Sequence, residues 1–174
     1  MSGTSGQYGC GTKARGFTLI GLMIVLALIG VLITVALPYF QNYLARARVL
    51  EGLGATESTK ALINKNAMLG LPFANGWVIP EPTDNVRKLS VDDVSGAITI
   101  VYTKRAGDGA IVLVPMVQLL GGEKHTLSSL RKVPNGEIFW TCYAKGKFQA
   151  PVEATLPAKY APTECRDVIV RSAS

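Results

Sequence analysis

Three cysteines, one histidine and a pair of adjacent aspartates are the side chains best suited to chemistry in this 174-residue chain. None stands in the pattern that a catalytic or metal centre needs. His125 sits in Gly-Gly-Glu-Lys-His-Thr and reads as a surface loop residue. Asp92 and Asp93 have no further carboxylates at calcium-loop spacing, so a solvated turn is the simpler reading. No Cys-x-x-Cys occurs, and Gly52-Leu-Gly54 is a pair of glycines in a helical stretch, not a phosphate loop. The sequence therefore points to no catalytic residue, no metal and no cofactor. Cys142 and Cys165 remain, with 22 residues between them. In a periplasmic or extracellular compartment a disulfide between them is expected, and loop-closure entropy makes such a bond worth about 3 kcal/mol. In a reducing compartment they are two free thiols. Cys10 stands alone, and Gln7-Tyr8-Gly9 lacks the apolar residues that a lipid-acylation site needs.

The basic residues are the next candidates. Lys and Arg number 18 against 12 acids, a formal net charge of +6. Lys124, Arg131, Lys132, Lys145, Lys147 and Lys159 populate the C-terminal half and could contact phosphates. No aromatic platform interleaves with them, so a solvated surface is the better reading and a nucleic-acid partner has no support.

The elements that must carry these residues are uneven in composition. Apolar residues make up 48% of the chain and charged residues 17%, against roughly 25% charged in an ordinary soluble protein. That excludes a disordered chain, and three cysteines are too few for a disulfide-dense scaffold. The excess apolarity is local. From Phe17 through Ala45 no residue is charged, a run of 29. A bilayer core needs about 20 apolar residues as helix, and backbone in lipid must bond to itself. A membrane helix is expected, with a buried core helix as the alternative. Residues 1–16 are Gly/Ser-rich with Lys13 and Arg15 as their only charges, which favours a cytoplasmic N-terminus. No Ala-x-Ala cleavage pattern follows the run; Pro38-Tyr39-Phe40 comes instead, so the helix stays attached as an anchor. Tyr39, Phe40 and Tyr43 form an aromatic cluster suited to helix packing or to a membrane-interface belt.

Beyond Pro38 a helix is expected to continue to Gly70, with Leu50, Leu53, Glu57, Ala61, Asn64 and Met68 as a partly apolar stripe that Leu62 and Ile63 widen into a packing face. Gly52 and Gly54 weaken it by about 1 kcal/mol each, and Gly70 before Leu71-Pro72 is a stop. Residues 71–95 read as loop. Residues 97–103 and 111–117 read as an antiparallel hairpin, with Pro115 marking an edge or bulge. A third strand is expected over 136–143, then an irregular tail. The expected layout is α+β: residues 1–16 a leader, 17–45 a membrane half-helix, 46–70 an amphipathic half-helix, and 71–174 a head with a small antiparallel sheet.

Lys13-Ala-Arg-Gly-Phe-Thr-Leu-Ile20, a short basic leader ending in Gly before a long apolar run, resembles the class III signal of type IV prepilins. Gly30, Pro38, Tyr39, Gln41-Asn-Tyr43 and Ala45-Arg46 are similar to the end of the first half-helix in type IVa pilins. Trp140-Thr-Cys142, Leu156-Pro-Ala-Lys-Tyr160, Pro162 and Cys165-Arg166 look like that family's disulfide-bounded loop. The resemblance implies the pilin fold. It implies cleavage by prepilin peptidase between Gly16 and Phe17, and N-methylation of the Phe17 amine. It implies assembly into a helical homo- or hetero-oligomeric filament through the apolar helix, which loosens between Gly30 and Pro38. The inner membrane and the pilus assembly machinery are the implied partners. The precursor would lie in the inner membrane and the product in an extracellular pilus serving adhesion, twitching motility or DNA uptake.

One position departs from the pattern. The fifth residue after the cut is normally Glu and here is Gly21. In the family that carboxylate is thought to pair with the N-terminal amine of a neighbour. An amine left in lipid without a partner costs about 3 kcal/mol even on low estimates. Gly21 leaves three readings: a minor or initiating subunit, a naturally degenerate paralogue, or a variant or engineered form of a major pilin; cleavage is expected to survive and assembly to be impaired. A type II secretion pseudopilin and a bitopic membrane protein with a periplasmic domain are the rival readings. Cys142 and Cys165 argue against the first.

Overall fold

The computed structural model describes residues 18–118, 124–129 and 137–167. The leader, Phe17, the 119–123 and 130–136 segments and the last seven residues lie outside them, so the start of the strand expected over 136–143 and the roles of Gly16 and Phe17 do too. Two units make up the chain, residues 1–38 and 39–174. Helix α1 spans Leu19–Gly54 and runs through Pro38. In the first unit none of the described residues is buried.

The second unit holds the rest of α1, helix α2 (Glu57–Leu69) and one five-stranded antiparallel sheet. Its strands are β1 (Val86–Val91), β2 (Ile98–Tyr102), β3 (Ala110–Gln118), β4 (Lys124–Thr126) and β5 (Glu137–Tyr143). The expected single helix is broken at Ala55–Thr56, next to Gly54. Gly70 stops α2 as expected. It adopts φ 69°, and the N–H groups of Gly70 and Leu71 return to Ala67 and Asn66 carbonyls, which satisfies the last turn of the helix.

The inward face of the helices keeps Ile63 and Leu53 from the expected face but otherwise differs from it. Leu50 and Met68 are 50% and 65% exposed. The buried line is Ala45, Val49, Gly52, Thr56, Thr59, Ile63 and Asn66, which repeats every three or four residues. Its members are small, β-branched or polar, so the helix backbone lies close against the sheet. Ile98, Leu113 and Cys142 form one cross-strand row beneath it, and Leu89, Ile100 and Ile111 another. Val49 and Ile63 pack on these rows.

Strand β1 corrects the reading of residues 71–95 as loop throughout. Its pairing with β2 shifts register between Val86 and Lys88. Val86 and Leu89 are therefore both buried although three apart, and the alternation that signals a strand is lost. His125 likewise lies in a strand, opposite Val117, not in a loop. Pro115 sits in β3 where pairing to β2 ends at Leu113 and pairing to β4 starts at Met116. A residue without an N–H is tolerated in that gap.

Candidate assembly helix and disulfide-closed loop

Two features of the structure match the expected functional residues. The first is the apolar opening of α1. Leu19 is 79% exposed, Met23 68%, Leu28 61% and Leu32 69%. The exposure is not confined to one face of the helix. Water would not tolerate so much bare apolar surface, while lipid or copies of the same helix would. Thr34, the one hydroxyl after Thr18 in this stretch, donates to the Val31 carbonyl at 2.7 Å, which hides its polarity within the helix. Gly21 lies in the first turns and offers no charge. At Gly30 an added methyl group would meet nothing within 4 Å. Pro38 stays helical but supplies no N–H to the Thr34 carbonyl.

The second feature is the C-terminal loop. Cys142 in β5 and Cys165 in a 3-10 turn (Thr163–Cys165) form a disulfide, with Cα atoms 4.5 Å apart. Both are buried. The loop between them is tied down by backbone and by one lysine. Ala144 N–H donates to the Cys165 carbonyl at 2.8 Å, and Ala110 C=O accepts from Thr155 and Leu156. Gly109 lets the loop approach: a Cβ there would lie 2.5 Å from Leu156 Cα. Lys147 Nζ donates to the carbonyls of Cys142 (2.7 Å) and Glu164 (2.6 Å), so one ammonium joins the two ends of the loop. Burial lowers its pKa, and the nearby Asp167 and Glu164 charges oppose that. Phe148 N–H donates to Asp167 Oδ2 at 2.8 Å.

The remaining candidates have structural explanations. Asp92 accepts from the N–H groups of Val94 and Ser95 and from the Ser95 hydroxyl. The backbone and hydroxyl bonds of Ser95 hold its pKa below the ordinary carboxylate value against the effect of burial. Asp93 accepts from Ala74 N–H. Both serve turns. Three of the lysines lie near aromatic rings: Lys124 lies 5.1 Å from the Phe139 ring, Lys147 5.2 Å from Tyr143 and Lys159 4.7 Å from Tyr160. Phe139 and Tyr143 are far from Lys124 and near Lys147 in sequence, so only the Lys159–Tyr160 and Lys147–Tyr143 pairs had any local signal. Arg131, Lys132, Cys10 and Gly16 are outside the described residues.

Residues 45–166 match the family described as Pilin (bacterial filament), and residues 11–37 match the prokaryotic N-terminal methylation motif. The chain is 48% identical to a fimbrial protein of Moraxella nonliquefaciens over 62 residues, 36% of this chain and 40% of that protein. It is 30% identical over 170 residues to a type IV major pilin protein PilE1 of Neisseria gonorrhoeae, covering 90% of this chain and 89% of that one. Its fold is similar to the crystal structure of a Pseudomonas aeruginosa type IV pilin at 22% identity, with a TM-score of 0.56 over 71% of this chain and 98% of that one. The exposed apolar helix, the disulfide-closed loop and these matches agree, and the chain belongs to the type IV pilin family.

Proposed function

We propose that this chain is made as a precursor, cut by prepilin peptidase between Gly16 and Phe17, methylated on the Phe17 amine, and polymerised as a structural subunit of a type IV pilus. As a type IV pilin it is anchored in the inner membrane by its N-terminal helix and then assembled into extracellular pili. The observation that carries the function is the opening of α1, apolar, uncharged and bare all round. One surface serves two solvents in turn. It is an anchor in lipid and a packing surface against the same helix of other subunits, where van der Waals fit replaces lipid contact. The gap at Pro38 and the weak helix former at Gly30 supply the points where α1 loosens in the filament. The pilus assembly machinery and other pilin subunits are the partners of this step.

Gly21 sets the efficiency. Cleavage depends on the leader and survives, whereas the N-terminal amine finds no carboxylate on its neighbour. Sheared surface filaments should contain this chain without residues 1–16 and with one methyl group on Phe17, read by mass spectrometry. Recovery of only the uncut precursor from cells that have the peptidase would overturn the reading. Gly21→Glu should increase surface filaments, and unchanged piliation would remove the role given to this position.

A further inference from the structure

The second unit gathers basic side chains at one level, and the charge-free run ends at the same level. Arg46 is the first charged residue after Ala45. Arg46 Nη2 donates to the Lys159 carbonyl and Arg48 Nη1 to the Arg105 carbonyl, both at 2.8 Å. These bonds draw two turns, residues 103–107 and 157–160, against the start of the amphipathic helix. The turns also touch each other: a Cβ on Gly107 would lie 2.6 Å from Tyr160 Cδ2. Lys104, Arg105 and Lys159 are exposed on this surface.

Of the five cations, Arg105 is paired with a carboxylate, and among the described residues no ion pair is made by Arg46, Arg48, Lys104 or Lys159. Asp84 bonds to Arg105 at 2.7 Å, and Asp108 is occupied by Arg87 at 3.3 Å. Arg46 and Arg48 spend hydrogen bonds on carbonyls, which supply no charge, and Arg46 Nε is buried with no partner. Just before this level, Tyr39, Phe40 and Tyr43 are 74%, 57% and 68% exposed.

We propose that Arg46, Arg48, Lys104, Arg105 and Lys159 form a collar that binds the phosphates of anionic phospholipid headgroups while the precursor is in the membrane. The order along the chain supports this. Twenty-nine uncharged residues precede Arg46, more than the roughly 20 that a helix needs to cross a bilayer core, so the first cation follows the span. Aromatic rings prefer the interface, so exposed Tyr39, Phe40 and Tyr43 mark it one to two turns earlier. Carboxylates of a second subunit could also meet the cations, but would give no reason for the aromatic rings directly below them. The collar holds the head on the outer surface of the membrane, and this contact has to break when the subunit leaves for the filament.

The inference rests on membrane anchoring, and the full chain in nanodiscs tests both separately. Incorporation into pure phosphatidylcholine discs needs only the apolar run; failure there sinks the anchor and the collar with it. In mixed discs, spin-labelled phosphatidylglycerol should be held at the protein about fivefold more than spin-labelled phosphatidylcholine, the effect of one cation near a charged surface. Raising salt should weaken the preference. Lys104→Gln with Lys159→Gln, both at exposed positions, should lower it by about half or more while melting stays unchanged. No preference in the unaltered chain overturns the collar, a result that requires no variant. So does a preference that the double substitution leaves intact. Displacement by inorganic phosphate beyond that by chloride of equal ionic strength would mean a free-anion site. Loss of subunit cross-linking in filaments with lipid preference intact would mean a subunit contact instead.

Discussion

Gly52 and Gly54 carry the same propensity penalty, yet their surroundings differ. Beside Gly54 an added methyl group meets nothing within 4 Å. At Gly52 it would lie 2.6 Å from Tyr102 Cε1, 2.9 Å from Tyr102 Oη and 2.9 Å from Val86 Cγ2. Tyr102 is fully buried and hydrogen-bonded, so it has nowhere to go. Replacing helical Gly by Ala gains about 1 kcal/mol from propensity, and overpacking a core costs about 1–3 kcal/mol. Gly54→Ala should therefore stabilise the second unit by up to about 1 kcal/mol, and Gly52→Ala should destabilise it by about 1–2 kcal/mol. Urea titration of both proteins checks the pair, and shifts of the same sign would show that packing does not separate the two sites. The sequence could show that both residues are glycine. It could not show that one of them faces a tyrosine 50 positions later. The same limit hid Lys147, whose two carbonyl partners belong to residues brought together by the disulfide. The Cys142–Cys165 bond was legible only on condition of an oxidising compartment, which is where two thiols are expected to pair.

Between elements, Tyr102 joins β2 to α1 by donating its hydroxyl to the Val49 carbonyl at 2.9 Å across the core. Burial pushes its phenol pKa up, so the fold favours the neutral form. The linkage sign follows. Stability from Tyr102 is complete below the unfolded-state tyrosine value near 10, and it declines as pH rises above that value towards the folded-state one. Tyr102→Phe should cost about 1 kcal/mol at neutral pH by losing one buried hydrogen bond. It should also lose less stability than the unaltered protein between about pH 9.5 and 11. Denaturant midpoints across that range read both effects, and parallel pH profiles would contradict the assignment. At this scale the long helix and the β2, β3 and β5 strands were legible, since their apolar periods are intact. The helix stripe differs because apolar spacing favours Leu50 and Met68, while close packing selects Gly52, Thr56 and Thr59. Strand β1 was missed because a register shift breaks its period. Strand β4 was missed because three residues, Lys124–Thr126, are too few to display one.

Across the whole chain, composition and core are separable. Part of the shortfall in charged residues comes from one uncharged run of 29. That run adds almost nothing to the packed interior: every residue of the two core clusters lies between Val49 and Cys165. The sequence made this division visible, since a segment without charge for that length has to meet something other than water. It left open what the head does with its basic residues, because the collar is assembled from three regions far apart in the chain. The division has a thermodynamic consequence. If the apolar opening of α1 contributes only to anchoring and polymer contacts, a chain that starts at Tyr39 retains the sheet, the helix stripe and the disulfide. It should be monomeric in size-exclusion chromatography without detergent. Its unfolding free energy under oxidising conditions should lie within about 1 kcal/mol of that of the detergent-solubilised full chain, the additivity expected of independent parts. Reduction should then lower that stability by about 2–5 kcal/mol in both proteins, because the Cys142–Cys165 bond constrains the same loop in each. A truncated chain that fails to fold would mean that residues 1–38 support the head as well as anchor it. The filament surface and the stabilising core would then overlap, and a subunit could not exchange lipid for its neighbours without loosening its own fold.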